Sequence, residues 1–178
     1  MTIGRYDYSM RERQKPKEDK AIKVKSLYAI EDRIATTFVE RPRRNGMEIK
    51  VSQEQGQVPV TVFHIKGDIN TETFEQLQAQ AQQAIQGGTR YLLLDLAQVS
   101  YVSSYGIRAI SQIFAWLRDS TQDQDPAAMS KGLRDGTFKS HHLKLANPTQ
   151  QVLKVLTTAG IDMFLEIHSD LKRAIASF

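Results

Sequence analysis

LLLDLAQVSYVSSYGIRAI, residues 92–110, is the stretch on which the reading of this chain turns. Residues 90–102 contain a near-continuous apolar run, the pattern of a strand covered on both faces. The period then changes: Ile107, Ile110, Phe114 and Leu117 recur at helical spacing. Between strand and helix stand Ser103, Ser104, Tyr105 and Gly106. Serine is a preferred helix cap, worth about 1 kcal/mol over alanine. The same place also favours an anion, because the first N–H groups of a helix are free and its dipole is positive there.

The flanking segments continue the alternation. MEIKVSQ from Met47 has period two, and VPVTVFHIKG (58–67) is rich in β-branched and aromatic residues, so the pair reads as a hairpin across EQGQ. In DINTETFEQLQAQAQQAIQGG, Phe74, Leu77, Ala81, Ala84 and Ile85 share one helical face. Asn70 is the expected cap, Glu72 and Glu75 suit the helix start, and Gly87-Gly88 stop it. Residues 119–141 are polar and rich in Asp, Gly and Ser; they read as a long loop with room for a short helical piece. HLKLA is a strand, NPTQQVLKVLTTAG a helix with Pro148 in its first turn, MFLEIH a strand, and SDLKRAIASF a closing helix capped by Ser169. The order ββαβαβαβα predicts an α/β domain over 47–178, with a mixed sheet and helices packed against it.

Residues 1–46 differ in character. They hold 12 Lys/Arg against 7 Asp/Glu, whereas 47–178 hold 12 against 13, so the net charge of +4 comes from this basic extension. Within it Leu27, Ile30, Ile34 and Phe38 predict an amphipathic helix over 26–40 before RPRRNG breaks the pattern. Its apolar stripe needs cover, from its own domain, from a second copy in a homodimer, or from a partner. The basic segment reads as a solvated extension rather than a nucleic-acid contact.

Several chemistries find no support. The chain has no cysteine, so it has no disulfide framework and no thiolate site. No apolar run approaches the roughly 20 residues of a membrane span, and no signal-peptide stretch is visible, which points to the cytoplasm. His64, His141, His142 and His168 do not form a metal pattern, and the adjacent His141 and His142 should face opposite ways. DSTQDQD lacks the glycine and final glutamate of a calcium loop, and QGGTR lacks the lysine of a phosphate-binding loop. Asp95 reads as a structural carboxylate at a strand end, and Trp116 as partly buried packing. No nucleophile–base–acid set is visible, although residues distant in sequence can converge. The expectation is a protein that is not an enzyme and has no cofactor.

Three stretches carry a resemblance. GDINTETFEQL, LLLDLAQVSYVSSYGIRAI and LANPTQQVLKVLTTAGIDMFLEIHSDLKRAI together resemble a STAS domain of the anti-sigma-factor antagonist type. The resemblance covers 47–118 and 142–178, with 1–46 and 119–141 as additions. It implies a bacterial regulator of transcription that works by partner switching, binding an anti-sigma factor or related serine kinase. In such antagonists the serine or threonine of the signature is phosphorylated; that position is Ser104 here, with Ser103 the less favoured neighbour and more plausibly the cap. The family glycine is Gly106. Ser103 and Asn70 stand where the family has acidic residues, and Tyr105 where it has a small one. The implied partner surface comprises Gly67, Asp68, Asn70, Ser103, Ser104, Tyr105, Gly106 and Arg108. The rival expectation is a scaffold or oligomerisation module, without phosphorylation, in which both serines only cap.

Overall fold

A computed structural model of the chain describes residues 46–121 and 126–178. The helix expected over 26–40 lies outside the described residues. The elements are β1 (Glu48–Gln55), β2 (Pro59–Lys66), α1 (Phe74–Gln86), β3 (Leu92–Gln98), α2 (Ser104–Thr121), α3 (Pro126–Asp135), β4 (Leu143–Ala146), α4 (Gln150–Thr158), β5 (Glu166–His168) and α5 (Leu171–Ala176). A short 3-10 turn, Ile161–Met163, precedes β5. Among the described residues no helix is long and apolar enough to cross a membrane.

The strands form one sheet in the order β1-β2-β3-β4-β5. β1 and β2 pair antiparallel, as a hairpin must; β2, β3, β4 and β5 run parallel, and β3, β4 and β5 are each reached through a helical crossover. This is the expected mixed sheet, with α3 as an added helix inside what the sequence reads as a polar loop. Pro126 opens that helix, where its missing N–H is harmless.

Alternation along the strands divides the core in two. Phe63, Ile65, Leu92, Leu94, Leu143 and Leu145 point to one face and pack under α1, α2 and α4. Leu77 and Ala81 of α1, Ile110, Ile113 and Leu117 of α2, and Val152 and Leu156 of α4 close that layer. Each such aliphatic side chain contributes about 1.5–3 kcal/mol on burial. Trp116 packs at its margin, half-buried. The other face carries Val60, Val62, Leu93 and Ala146, covered by Leu171, Ala174, Ile175 and Phe178 of the C-terminal segment.

Four boundaries differ from the sequence expectation. α1 starts at Phe74 with Thr73 as its cap position, and Asn70 instead closes a turn before it. β3 ends at Gln98, because Val99 turns back to the Leu96 carbonyl; only Val102 rejoins the sheet, in a lone bridge to Ile69. Thr149 caps α4, its side chain accepting from Val152 N–H, so Pro148 lies just outside the helix. Asp170 rather than Ser169 caps α5, because its carboxylate reaches Arg173 N–H at 2.8 Å. The pair His141–His142 precedes β4; His141 is exposed and His142 buried, with its ring stacked on Tyr91. No group of His, Asp and Glu that could hold a metal ion occurs among the described residues.

The C-terminal helix is tied down by a polar clamp. Lys144, only 2% exposed, donates to Glu166 Oε2 at 2.8 Å, to the Ser177 carbonyl at 2.8 Å and to Ser177 Oγ at 2.9 Å. Its ammonium also lies 4.9 Å from the Phe178 ring centroid. His168 Nε2 meets the same carboxylate at 3.1 Å. Burial raises the Glu166 carboxyl pKa, but the hydrogen bonds and charges of Lys144 and His168 together outweigh it and hold it below the ordinary value. A carboxyl whose folded value is depressed stabilises the fold fully above its ordinary pKa and loses that stabilisation as pH falls through the folded value. Glu166→Gln is therefore expected to lower stability near neutral pH by about 1–2 kcal/mol, at the low end for a charged hydrogen bond because the carboxylate is partly solvated. Urea unfolding of both proteins across the acid range checks this: the gap should close as pH falls through the carboxylate range.

Candidate functional site

The segments that follow β2 and β3 meet beside the parallel strand ends. Ile69 N–H donates to the Tyr101 carbonyl at 2.9 Å, and Ser103 N–H donates back to the Ile69 carbonyl at 2.9 Å. These bonds make the Ile69–Val102 bridge and bring the entries to α1 and α2 side by side. Ile69 and Val102 are both buried.

Gly106 is what lets the two strands of chain come so close. A Cβ there would lie 2.7 Å from the Ile69 carbonyl oxygen and 2.8 Å from Val102 Cγ1. The first of these is rigid backbone, so only glycine fits. Gly106 is accordingly buried and spaces the site from beneath rather than presenting a surface. Gly67 serves the other entry: its φ of +102° turns the chain out of β2, and its N–H reaches the Gln98 carbonyl at 3.0 Å.

The two serines have separate positions. Ser103 is the helix cap. Its carbonyl accepts from Ile107 N–H at 3.0 Å and its hydroxyl from Gly106 N–H at 3.3 Å. Ser104 is the first helical residue, exposed, and its hydroxyl has no hydrogen-bond partner among the described residues. The cap and the free hydroxyl thus fall on adjacent residues.

Around Ser104 the surface is aromatic as well as polar. Tyr105 is 42% exposed and Tyr101 45%. The Tyr105 ring lies 5.3 Å from that of Phe74 on α1, and the guanidinium of Arg108 sits 5.8 Å from its centroid. The Gly67–Glu72 loop is braced internally: Thr73 Oγ1 donates to the Asp68 carbonyl at 2.7 Å, Asn70 N–H donates to Thr73 Oγ1 at 2.9 Å, and Glu72 N–H donates to Asn70 Oδ1 at 2.8 Å. Gly67, Asp68 and Asn70 line an open polar concavity of about 730 Å³ with Glu48, Lys66 and Glu72. Of the eight expected surface residues, Gly67, Asp68 and Asn70 lie on the loop after β2, Ser103 just before α2, and Ser104, Tyr105, Gly106 and Arg108 in the first turns of α2, with Gly106 buried beneath the rest. Phe74 and Tyr101 were missed; Phe74 reads as core from its periodicity, and Tyr101 sits inside an apolar run.

Residues 50–120 match the model of the STAS domain. Among solved structures, an anti-sigma factor antagonist from Mycobacterium paratuberculosis is similar at 13% identity and a TM-score of 0.56, covering 76% of this chain and 96% of that one. An anti-sigma-factor antagonist (STAS) domain protein from Planctomyces limnophilus aligns at 18% identity and a TM-score of 0.51, over 75% of this chain and 97% of that one. The anti-sigma factor antagonist SpoIIAA in its unphosphorylated form aligns at 16% identity and a TM-score of 0.50, over 71% and 93%. No curated protein matches the chain. The match to the STAS domain model spans residues 50–120, and the fold is that of these anti-sigma-factor antagonists.

Two substitutions separate the roles at the helix entry. Gly106→Ala is expected to destabilise the domain by about 1–3 kcal/mol, the usual range for overpacking a close contact. Ser103→Ala should cost about 1 kcal/mol through the lost cap, and Ser104→Ala close to nothing. Urea denaturation midpoints of the three variants check the ranking.

Proposed function

We propose that this STAS domain is a protein-binding regulator of the anti-sigma-factor antagonist kind, with Ser104 as its phosphorylation site. The observation that carries the reading is the exposed, unbonded hydroxyl of Ser104 beside a cap already supplied by Ser103. A residue needed only for capping would have its oxygen on a backbone N–H. SpoIIAA, which shares the fold, is described in an unphosphorylated form, so phosphorylation is a state of that protein. Carried to this chain, the modified residue is Ser104 and the modifying partner an anti-sigma factor or related serine kinase.

The physics of such a switch is simple. A phosphate at the first helical residue brings roughly −1.5 to −2 charges to the positive end of α2, where the domain tolerates it. The fold stays intact while the surface changes sign. If a partner covers that surface, an unpaired buried charge costs about 3–5 kcal/mol. That is roughly two to three orders of magnitude in affinity, at about 1.4 kcal/mol for each factor of ten. Tyr101, Tyr105 and Arg108 give the interface large side chains of the kinds that dominate binding energy.

The rival reading, a scaffold in which the helix over 26–40 joins two copies, predicts a binding surface indifferent to charge at residue 104. Affinity capture from the native host, with phosphosite mapping on the recovered chain, tests the proposal directly. Phosphate on Ser104 and a serine kinase among the captured proteins are expected. Ser104→Asp should weaken binding to the captured partner by roughly a hundredfold or more by titration calorimetry. Equal affinities would overturn the switch.

A further inference from the structure

On the sheet face away from α1 and α2, three side chains from three adjacent strands form a hydrogen-bonded chain. His64 Nε2 lies 3.1 Å from Ser52 Oγ, and His64 Nδ1 lies 2.9 Å from Asp95 Oδ2. The other oxygen of Asp95 accepts from Asn147 Nδ2 at 3.0 Å and from Ala97 N–H at 3.2 Å. Asn147 reaches it from a left-handed backbone position, φ 53°, and its own N–H is fixed to the His168 carbonyl at 2.8 Å. The Asp95 side chain is 13% exposed and that of His64 35%. The carboxylate is held from three sides, the imidazole from two, and the hydroxyl at the end is half-buried on the edge strand.

The connectivity sets the roles. An ionised carboxylate only accepts, so Nδ1 of His64 carries the hydrogen that faces Asp95. In the neutral imidazole Nε2 is then an acceptor aimed at the Ser52 hydroxyl. That hydroxyl has a competing acceptor, Glu54 Oε1 at 3.1 Å, and its single proton can serve only one of them. Rotation from Glu54 to His64 puts a hydroxyl, a base and an orienting carboxylate in the order that activates a serine. Lys50 lies on the same face, opposite His64 in the strand register, and joins His64, Asp95, Glu48, Lys66 and Gln98 around a cavity of about 250 Å³.

We infer that Ser52 is an activated nucleophile that takes an acyl group from small polar carboxylic esters. The Ser52 oxygen bonds to the ester carbonyl carbon while its proton passes to His64 Nε2. The bond from that carbon to the alcohol oxygen then breaks, and His64 returns the proton to the departing alkoxide. The products are acyl-Ser52 and the free alcohol; water, giving a proton to the same imidazole, then bonds to the acyl carbon, the bond from that carbon to Ser52 Oγ breaks, the imidazolium returns its proton to Ser52, and the acyl group leaves as the carboxylic acid, which ionises. Asp95 holds the imidazolium formed in each half, and Asn147 is a positioning residue for Asp95. This capability is separate from the Ser104 surface and does not depend on it.

The test treats the full-length chain with a fluorophosphonate probe and, separately, with p-nitrophenyl acetate, followed by peptide mapping. The expected result is label on Ser52, lost in Ser52→Ala and slowed roughly a hundredfold or more in His64→Gln, as for loss of a general base. Glu54→Ala, a change at an exposed residue, should raise the labelling rate by removing the competing acceptor. Far-UV circular dichroism verifies that each variant keeps its fold. A wild-type chain left unlabelled, label mapped to another serine, or a rate unchanged in a folded His64→Gln or in Glu54→Ala would each overturn the inference.

Discussion

Two peptide hydrogen bonds between the Ile69 region and residues 101–103 hold the functional end of this domain together. They join two loops that would otherwise leave the sheet independently, one toward α1 and one toward α2. Once the loops are bonded, the space between the Ile69 carbonyl and the first turn of α2 is too small for any side chain, so residue 106 is glycine. Ser103 then caps, Ser104 faces outward, and Tyr105 meets Phe74 across the seam. The proposed partner surface is a product of backbone pairing, and its side chains are arranged by it.

The two faces of the sheet are stabilised differently. The helix-covered face is apolar from Phe63 across to Leu145 and is held by burial alone. The opposite face is apolar only beneath α5. Beside that patch it carries a lysine, glutamate and histidine clamp, and farther toward β1 the Ser52, His64 and Asp95 chain. Such groups are tolerated on a half-covered face because their partners are there: Lys144 is buried but makes three hydrogen bonds.

Much of the architecture was legible in the sequence because it depends on local period. The hairpin, the two helices after β2 and β3, and the strand–helix alternation follow from residues a few positions apart. The junction at 102–106 was legible in part: the change of period and the two serines marked a cap at Ser103 or Ser104, and the family resemblance marked Gly106. What sequence could not give depends on distant partners. Asn70 and Ser169 are both good caps by type, yet Thr73 and Asp170 occupy the cap positions, because a cap is set by where the last loop residue turns. Asp95 looks like a strand-end carboxylate, but it is mid-strand, and its meaning comes from His64 and Asn147, 31 and 52 residues away. Ser52 carries no signal at all; only the pairing of β1 with β2 brings its hydroxyl to an imidazole. The polar composition of 119–141 left room for a short helical piece there without fixing α3, since helix and loop share these polar residue types.

Strand order equal to chain order has a consequence for how the molecule is made. Each strand finds its place beside the one synthesised just before it, so the sheet can extend in step with the emerging chain, without waiting for a later segment to insert. The exception is the rear layer, whose cover comes from residues 171–178. Until residues 171–178 leave the ribosome, Val60, Val62 and Leu93 lack that cover, and a nascent chain halted before them would present a bare apolar strip to chaperones.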